Sequence, residues 1–550
     1  MSGLSSEQVM TRELQGDVLA AAGGPPRDLT MAQRGMAASV HPFVSDTAVE
    51  VMRSGGNAID AAVASAAVLM TVEPRNGHLG GDTFMLFHDM KSGKVVALNG
   101  SGAAPLAATG DDYRAMGGFP ADGLLTSTVP GTLHCWATAL ERYGTKSLSA
   151  LLEPAIWYAE HGVPVTTRLH RMLSLDAPTW KKFPDTATAL LPDGDVPPVG
   201  GLFRQPLLAR SLRRIAEHGA DDFYTGTLAR EMVEYAQAHD GLFTEEDFAN
   251  HRTDECDPIH IDYRGYTVYE QPPVSQGIIV LLALNILKQF DLQQYGPNSP
   301  EVVHLQIEAL KLAFADRFRH LGDPAFVTIP LDTLLSDEHA ARQAARIDLH
   351  AVKQHGLAPP SHPDTTYMCV ADGDGTMVSY IHSLFSGAGV VLGETGVLMN
   401  SRLLGFTLDD GDPNGLAPGK RPVHTLNNYL VAKDGQPILV GGTPGAHWQV
   451  QTNLQMLVNA LDFGMDPQAA IEAPRFIIGD QLEVGDPQVK VESRYGEATI
   501  DALRRLGHQV EVTGPWGSAG SVQMIARNPE TGILSGATEV RRAGTSVLGF

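Results

Sequence analysis

The sequence is poor in cysteine. Cys135, Cys256 and Cys369 stand far apart in 550 residues, and none belongs to a CxxC pair. An odd and scattered set excludes a disulfide framework and is typical of a reducing compartment. Residues 1–12 are polar and contain no basic segment leading into an apolar stretch, so no secretory signal is predicted. We therefore expect a cytoplasmic protein.

Positive charge is also scarce. Lys and Arg number 40 against 63 Asp and Glu, which gives a formal charge of −23. This balance repels nucleic-acid phosphates and anionic membrane surfaces, so neither partner is expected. The longest apolar runs, 61–72 and 278–287, are shorter than the roughly 18 residues of a membrane span and predict buried helices. With 43% hydrophobic and 19% charged residues, the chain is expected to bury a sizeable core.

Common cofactor and metal motifs are missing. We find no GxGxxG opening a helix, no P-loop, no GxSxG elbow and no HExxH. The stretch GLAPGKR at 415–421 resembles a phosphate loop, but it is one residue short and ends in Arg, which favours a basic turn. The one close histidine pair, His350 and His355, has no neighbouring ligands to complete a zinc site. We expect no cofactor and no metal.

Hydrophobic periodicity predicts a mixture of helices and strands, with strands concentrated in the last third. Two helices are predicted from residue 45 to 72, separated by Gly55-Gly56-Asn57. Further helices are predicted at 148–161, 205–218, 228–238, 278–290, 301–321, 452–461 and 497–506, and strands at 83–89, 94–99, 437–442, 489–492, 509–513 and 522–527. TTYMCV and TMVSYIHS flank the turn sequence ADGDG and predict a β-hairpin that begins at Thr365.

Four ordered motifs carry a family resemblance: DTTYMCVADGDG at 364–375, GETGVLMN at 393–400, PGKRP at 418–422 and GGTPGA at 441–446. In this order and spacing the sequence resembles the γ-glutamyltransferase family of N-terminal nucleophile hydrolases. Four earlier stretches agree, GGNAIDAAVA at 55–64, LGGDTFML at 79–86, VPGTL at 129–133 and FADRFRHLGDP at 314–324. The resemblance implies an α+β fold, a four-layer αββα sandwich, and a precursor that cuts itself into two chains.

The polar composition of the N-terminus predicts an arm, 1–34, and the resemblance divides the rest of the chain into a large subunit, 35–364, and a small subunit, 365–550. The resemblance implies cleavage between Asp364 and Thr365, which makes Thr365 the nucleophile of the small subunit. A threonine hydroxyl needs a base beside it, and an N-terminal threonine supplies its own α-amino group, whose ordinary pKa is near 8. The proline-rich segment 356–364 before the bond is typical of an exposed, irregular stretch.

Two further parts of the catalytic machinery follow from the resemblance. Ser383 falls where family members place a hydroxyl that hydrogen-bonds the nucleophile, although an ordinary strand serine is the alternative. The backbone amides of Gly445 and Ala446 are expected to stabilise the oxyanion of a tetrahedral intermediate. The alternative for these amides is a cap on the helix that follows, and both descriptions can hold at once.

The sequence departs from the family where γ-glutamyl substrates are gripped. Ser101 stands at the position of the arginine that takes the α-carboxylate, and Gly405 at that of the aspartate that takes the α-ammonium. Typical family members have two adjacent serines after the Lys-Arg-Pro motif, and this sequence has His424-Thr425 there. Arg402, two residues after Asn400, replaces a glutamine; it is expected to bind a carboxylate bidentately or to pair with one of the chain's many acids. These residues, Ser101, Asn400, Arg402, His424 and Thr425, are the expected substrate-binding set.

The combination looks more like the hydrolytic branch of the family, which includes oxamate amidohydrolase and cephalosporin acylases. The leading hypothesis is therefore an amidohydrolase that cleaves a small carboxylate-bearing amide through an acyl-enzyme. A true γ-glutamyltransferase or glutathione hydrolase is the close alternative. An inactive or ligand-binding member of the family is the third. The expected partners are the small-molecule amide and the two subunits of one precursor, held together as a heterodimer.

Overall fold

The computed structural model describes residues 27–353, 364–386, 389–479, 488–518 and 520–550. Most of the predicted arm and almost all of the proline-rich segment before Thr365 lie outside these ranges. Residues 30–32, at the end of the predicted arm, form an edge strand of a sheet. Among the described helices, none combines the length and the apolar character that a bilayer crossing requires.

The helices of the described residues fall into two groups, one before residue 250 and one after residue 278. They are α1 (Pro42–Arg53), α2 (Ala58–Val72), α3 (Gly110–Ala115), α4 (Thr132–Tyr143), α5 (Leu148–His161), α6 (Thr167–Trp180), α7 (Pro184–Leu190), α8 (Pro206–His218), α9 (Asp221–Tyr224), α10 (Thr227–Ala238), α11 (Glu245–Ala249), α12 (Ile278–Leu287), α13 (Pro300–His320), α14 (Leu331–Leu334), α15 (Asp337–Ala344), α16 (Trp448–Leu461), α17 (Pro467–Glu472) and α18 (Gly496–Leu506). Short 3-10 helices lie at Leu124–Thr126, Pro192–Gly194, Gly393–Thr395, Arg402–Gly405 and Ser493–Tyr495.

The strands are β1 (Thr30–Ala32), β2 (Gly35–Ser39), β3 (Asp82–Asp89), β4 (Lys94–Gly100), β5 (Val163–Pro164), β6 (Leu202–Phe203), β7 (Asp254–Cys256), β8 (Ile259–Tyr263), β9 (Tyr266–Glu270), β10 (Asp364–Asp372), β11 (Met377–Phe385), β12 (Tyr429–Lys433), β13 (Gln436–Gly442), β14 (Phe476–Ile478), β15 (Val489–Glu492), β16 (Val510–Thr513), β17 (Gln523–Arg527), β18 (Leu534–Thr538) and β19 (Ser546–Gly549). Sheet I has the order β1-β18-β17-β13-β12-β9-β8, and sheet II has the order β19-β2-β10-β11-β3-β4-β7. A small sheet β14-β15-β16 and the pair β5-β6 lie beside them.

The two large sheets pack face to face between two layers of helices. A buried cluster that includes Phe84, Tyr367, Leu430 and Val440 fills the space between the sheets. A second cluster joins the outer face of sheet II to the early helices, α2 among them, and a third joins the outer face of sheet I to α12, α13 and α16. This is an α+β four-layer αββα sandwich, and it confirms the fold class that the resemblance implied.

Helix α2 and the β10–β11 hairpin confirm two local predictions. All fifteen residues of α2 are buried, as expected for a helix that is apolar nearly all round, and Asn57 with Asp60 forms a capping box at its start. In the hairpin turn, Asp372 Oδ1 accepts from the amides of Gly375 and Thr376, at 3.1 and 3.0 Å. Its Oδ2 accepts from Ala58 N at 3.0 Å, which ties the turn to the start of α2.

Strands from before and after residue 365 are interleaved in both sheets. In sheet II, β10 and β11 lie between β2 on one side and β3 on the other, and β2 also pairs with β19 at the sheet edge. In sheet I, β1 pairs with β18, and β9 pairs with β12. Each sheet therefore depends on both of the subunits that the sequence predicts.

Candidate active site

Three neighbouring strands of sheet II bring polar side chains into one row. Thr365 on β10 lies opposite Ser383 on β11, and Ser383 lies opposite Asp82 on β3. Two residues along the same strands, Tyr367 and Phe84 belong to the cluster between the sheets. Because side chains alternate along a strand, the row of Thr365, Ser383 and Asp82 faces the same inter-sheet space.

Ser383 links Thr365 to the end of β11. Thr365 Oγ1 donates to Ser383 Oγ at 3.2 Å, and Ser383 Oγ accepts from Phe385 N at 2.8 Å. Phe385 has a φ of 77°, a backbone conformation that costs a bulky residue about 1–3 kcal/mol. The pairing of β10 with β11 shifts register between Asp364 and Thr365. Strain and irregular pairing thus coincide at the predicted cleavage bond.

Thr366 points away from this row. Its side chain is buried, and its Oγ1 has no hydrogen-bond partner among the described residues. Alternation along β10 places it on the face of sheet II opposite to Thr365. The two adjacent threonines therefore occupy different environments, and only Thr365 contacts Ser383.

The GGTPGA turn lies over the start of β10. Gly442 ends β13 against Tyr367, so close that a Cβ on Gly442 would lie 2.5 Å from Tyr367 Cε2. Gly445 and Ala446 have φ values of 137° and 48°, and α16 begins at Trp448. Trp448 N donates to Gly445 O at 2.8 Å, while the amides of Gly445 and Ala446 donate to no group in the described part of the chain. Two buried amides are thus available to an acceptor that enters this turn.

Arg402 and Asp82 form a fully buried ion pair. Arg402 Nε lies 3.1 Å from Asp82 Oδ2, and the Asp82 side chain also accepts from Gly102 N at 2.8 Å. The guanidinium stacks over the Phe385 ring at 4.7 Å, and its Nη1 and Nη2 have no partner within the described ranges. Burial raises the pKa of Asp82 and lowers that of Arg402, and the opposite charge of each partner counteracts this.

His424 is buried close to Arg402. Neither ring nitrogen has a hydrogen-bond partner among the described residues, and the ring packs edge-on against Phe84 with centroids 5.1 Å apart. Burial lowers its pKa well below the ordinary value, and the charges of Arg402 and Arg421 lower it further, so the imidazole is neutral. Buried polar atoms are nearly always hydrogen-bonded in proteins. The unpaired nitrogens of Arg402 and His424 therefore point to a polar ligand.

The side chains of Asn400 and Ser101 make their hydrogen bonds within the protein. Asn400 Nδ2 donates to Gly80 O and Thr128 O at 2.7 and 3.0 Å, and its Oδ1 accepts from Thr128 N and Arg402 N. Ser101 Oγ donates to Asn99 Oδ1 at 2.6 Å and has no exposed surface. Asn400 positions Arg402 and keeps little capacity for a ligand. The carbonyl of Thr425 also has a protein donor, the side chain of Gln276, at 2.8 Å.

Gly405 lies at the end of the 3-10 helix Arg402–Gly405, near the same site. A Cβ here would lie 3.6 Å from Pro422 Cβ and 3.9 Å from Phe385 Cε2, which are ordinary contact distances. The Cβ of an aspartate would therefore fit at position 405, where the γ-glutamyl site of the family has one. The predicted basic turn at 415–421 is present: Lys420 N donates to Ala417 O, and its Nζ binds two carbonyls rather than a phosphate.

A cluster with metal-ligating side chains lies elsewhere, at His304, Glu308 and His508. Glu308 Oε1 already binds Lys311 Nζ at 3.0 Å. His304 Nε2 donates to the carbonyl of Asp348 at 2.9 Å, so its Nδ1 accepts from His508 Nε2 at 2.8 Å. The ammonium and the direct imidazole contact make this a hydrogen-bond network. The expectation that the enzyme needs no metal or cofactor stays a prediction.

Asp82 and Gln276 are polar residues of the site that the sequence did not single out. Asp82 lies within LGGDTFML, a stretch that carries the resemblance, and its position in that stretch was the available signal. Gln276 contacts the GGTPGA turn from a segment distant in sequence, and no local pattern marks it.

A sandwich of this kind, with a threonine close to the start of a central strand, is typical of the N-terminal nucleophile hydrolases. The chain matches the gamma-glutamyltranspeptidase family over residues 44–549 and belongs to that family. The solved structure of a cephalosporin acylase from Bacillus halodurans superposes with a TM-score of 0.89 at 37% identity, covering 96% of this chain and 98% of that one. The chain is an enzyme of the N-terminal nucleophile type.

Several curated relatives are similar over nearly their whole length. A glutathione hydrolase-like YwrD proenzyme of Bacillus subtilis is 38% identical, covering 93% of this chain and 98% of its own. A glutathione hydrolase proenzyme of Escherichia coli is 35% identical, covering 94% of this chain and 92% of its own. An oxamate amidohydrolase proenzyme of Klebsiella pneumoniae is 34% identical, covering 93% and 98%. These relatives share a proenzyme form and differ in the substrates that their names state.

Proposed function

We propose that this protein is a self-processing amidohydrolase that cleaves a small amide whose acyl group carries a carboxylate. The observation that carries the proposal is that two guanidinium nitrogens of Arg402, buried close to the row that contains Thr365, have no hydrogen-bond partner in the described part of the chain. A planar guanidinium binds a carboxylate through two parallel hydrogen bonds. The neutral His424 nearby adds a further donor or acceptor without adding charge.

In the precursor, Thr365 Oγ1 attacks the carbonyl carbon of Asp364 and forms a tetrahedral intermediate. The C–N bond then breaks, the acyl group passes from nitrogen to oxygen, and the nitrogen takes a proton to become the amine of Thr365. Water hydrolyses the ester, which leaves residues 1–364 with a new carboxylate and restores the hydroxyl. Ser383 is placed to orient that hydroxyl throughout, since it holds the oxygen in the precursor.

In the mature enzyme, the freed amine of Thr365 takes the hydroxyl proton as the oxygen attacks the amide substrate. The amides of Gly445 and Ala446 hold the oxyanion, and the amine returns the proton to the leaving nitrogen. Water then hydrolyses the acyl-enzyme and releases the acid. Arg402 holds the substrate carboxylate while both steps occur at the neighbouring carbonyl carbon.

A glutathione hydrolase or γ-glutamyltransferase is the second candidate, and the relatives named glutathione hydrolase favour it. Against it stand Ser101 and Gly405, which lack the charges expected to hold a γ-glutamyl group. The cytoplasmic location, the boundaries of the two subunits and the heterodimer remain predictions from the sequence.

The test compares the wild type with T365V and T366V. Intact mass of the wild type is expected to show two chains of about 39 and about 20 kDa, the smaller beginning at Thr365. T365V replaces the hydroxyl with a methyl group of similar size and is expected to stay as one chain of 58.8 kDa. T366V is the matched control, because the Thr366 hydroxyl has no hydrogen-bond partner within the described ranges, and it is expected to be cut as the wild type is.

The substrate class is then determined by measuring the activity of the processed enzyme on two kinds of amide. We expect ammonia release from oxamate and related carboxylate-bearing amides to exceed chromophore release from γ-glutamyl-p-nitroanilide. The reverse order would replace the proposal with the glutathione hydrolase candidate. A wild type that stays uncut and turns over neither class would favour the inactive or ligand-binding alternative.

A further inference from the structure

Residues 273–276 belong to the predicted large subunit and contact the site. They lie between β9 and α12, and they pair with 424–426 in the manner of two short strands. His424 N donates to Val274 O at 2.9 Å, and Gln276 N donates to His424 O at 2.9 Å. Ser275 Oγ donates to Leu426 O at 2.6 Å. The large subunit therefore fixes the backbone on which His424 and Thr425 are carried.

The Gln276 side chain continues this contact into the GGTPGA turn. Its Nε2 donates to Thr425 O at 2.8 Å and to Ala446 O at 3.1 Å. His447 Nδ1 lies 3.0 Å from Gln276 Oε1. Because Nε2 faces two carbonyls, the amide orientation is determined, and His447 must donate from Nδ1. Burial lowers the pKa of His447 to about 3, so this imidazole is neutral with its proton on Nδ1.

Ala446 needs such support because of its backbone. Its φ of 48° is left-handed, which costs a residue other than glycine or asparagine about 1 kcal/mol or more. The Ala446 carbonyl is held by Gln276, and the Gly445 carbonyl is held by Trp448 N at 2.8 Å. The Ala446 amide shares its peptide plane with the Gly445 carbonyl, and the Gly445 amide shares its plane with the Pro444 carbonyl, which accepts from Thr443 Oγ1 at 2.9 Å. Gln276 holds the next plane along the chain and so stabilises the left-handed backbone of Ala446, which joins that plane to the two amides before any substrate arrives.

We infer that Gln276 is a positioning residue for the oxyanion-binding turn, supplied to the small subunit by the large one. The inference rests on the proposed function, because it assigns Gln276 to the same reaction. Gln276 does not touch the reacting atoms. It couples the turn to the Thr425 backbone, so that the two amides and the acyl-binding residues hold one relative position. A preorganised oxyanion site lowers the barrier without reorganisation during the reaction.

The variant that tests this is Q276M, which keeps size and burial and removes all three hydrogen bonds. Q271M is the matched control, because Gln271 is equally buried in the same loop but donates to Met85 O at 2.7 Å, away from the turn. We expect Q276M to slow precursor cleavage and to lower kcat about 10- to 100-fold, with KM within about twofold of the wild type. Q271M is expected to keep kcat close to that of the wild type.

Q276E tests whether hydrogen bonding by residue 276, rather than its packing, affects kcat. It also provides a second variant if Q276M does not fold. Its carboxyl donates one hydrogen bond to the turn when protonated and none when ionised. We expect its kcat to fall as the pH rises through the pKa of that carboxyl, a transition that the wild type lacks. Equal kcat in Q276M and Q271M, or a Q276E profile like that of the wild type, would overturn the inference while the cleaved, active wild type still supports the proposed function. An uncut, inactive wild type would refute both.

Discussion

Arg402 Nε and Asp82 Oδ2 lie 3.1 Å apart although their residues are 320 positions apart in sequence, and neither side chain has exposed surface. The ion pair uses one nitrogen of the guanidinium, and the other two have no hydrogen-bond partner among the described residues. One side chain thus combines a structural ion pair with the two nitrogens that we propose bind the substrate carboxylate.

The first prediction concerns R402Q, which restores the glutamine of typical family members. Loss of two charge-assisted hydrogen bonds is expected to lower kcat/KM for oxamate about 10- to 100-fold. A neutral amide is expected to change by less than about threefold, because it makes no such bonds. Steady-state kinetics on both substrates measure this selectivity.

R402Q also leaves Asp82 buried without its partner, so stability needs a control. R542Q breaks another buried pair, Arg542 with Glu73, in which the two side chains lie 2.6 Å apart. Because Glu73 keeps Arg168 as a second partner, R542Q is expected to destabilise the fold less than R402Q does and to keep the preference for oxamate. If R402Q retains that preference as well, Arg402 does not bind the carboxylate.

The second prediction concerns S383A. The substitution removes the acceptor of the Thr365 hydroxyl and leaves the amide of Phe385 unpaired. We expect precursor cleavage and amide turnover to slow about 10-fold, the equivalent of one charge-neutral hydrogen bond. Time courses of intact mass measure the cleavage. S379A is the control, since Ser379 lies on the same strand and face but hydrogen-bonds Tyr367 OH. Normal cleavage in S383A would contradict the proposed role of Ser383 in orienting the Thr365 hydroxyl.

The third prediction concerns acid stability and Glu73. Burial alone would raise the pKa of this carboxyl, but Arg542 and Arg168 hold it at about 2, below the ordinary value of 4.5. Stability from this group is therefore fully present above pH 4.5 and is lost as the pH falls towards 2. The difference corresponds to about 3 kcal/mol.

The measurement is the free energy of urea unfolding between pH 7 and pH 3. We expect the stability of E73Q to fall less steeply with acid than that of the wild type, because its amide does not titrate. Parallel curves for the two proteins would show that other carboxyls account for the acid sensitivity.

The fourth prediction concerns G405D, which restores the aspartate of the γ-glutamyl site. A Cβ at Gly405 would meet its neighbours at ordinary contact distances, which predicts a folded protein with a Tm within a few degrees of the wild type. A new acceptor for an α-ammonium is expected to increase turnover of γ-glutamyl-p-nitroanilide. G80A is the contrasting control, because its Cβ would lie 2.1 Å from Leu398 O and must disturb the backbone. A folded G405D without that gain would show that the aspartate alone does not determine specificity.

Local patterns predicted much of the fold. The periodic helices were placed well: 148–161 was predicted and Leu148–His161 is observed, while 452–461 was predicted and the helix begins earlier, at Trp448. The hairpin Ile259–Tyr263 and Tyr266–Glu270 was missed, since no strand was predicted between residues 99 and 365, although its residues alternate between buried and more exposed positions. Strands β2, β12, β18 and β19 were missed as well, because strands of four or five residues carry little periodicity of their own.

The site was predicted in part, and mainly through the family resemblance. Thr365 and Ser383 were named together, and the structure brings them into hydrogen-bond contact. Their catalytic roles stay predictions. Arg402 was expected either to bind a carboxylate or to pair with an acid, and the structure shows the pair with Asp82. Contacts between distant segments, such as Gln276 with Ala446, depend on the packing of two sheets and leave no local signal.

If the bond before Thr365 is cut as proposed, the interleaving of strands in both sheets changes how the protein can refold. The precursor folds as one molecule, whereas its two products would have to find each other in solution before either sheet could be completed. Refolding after denaturation then becomes bimolecular, and its yield falls on dilution. The working lifetime of the mature enzyme is accordingly governed by how slowly it unfolds rather than by an equilibrium that it can re-enter.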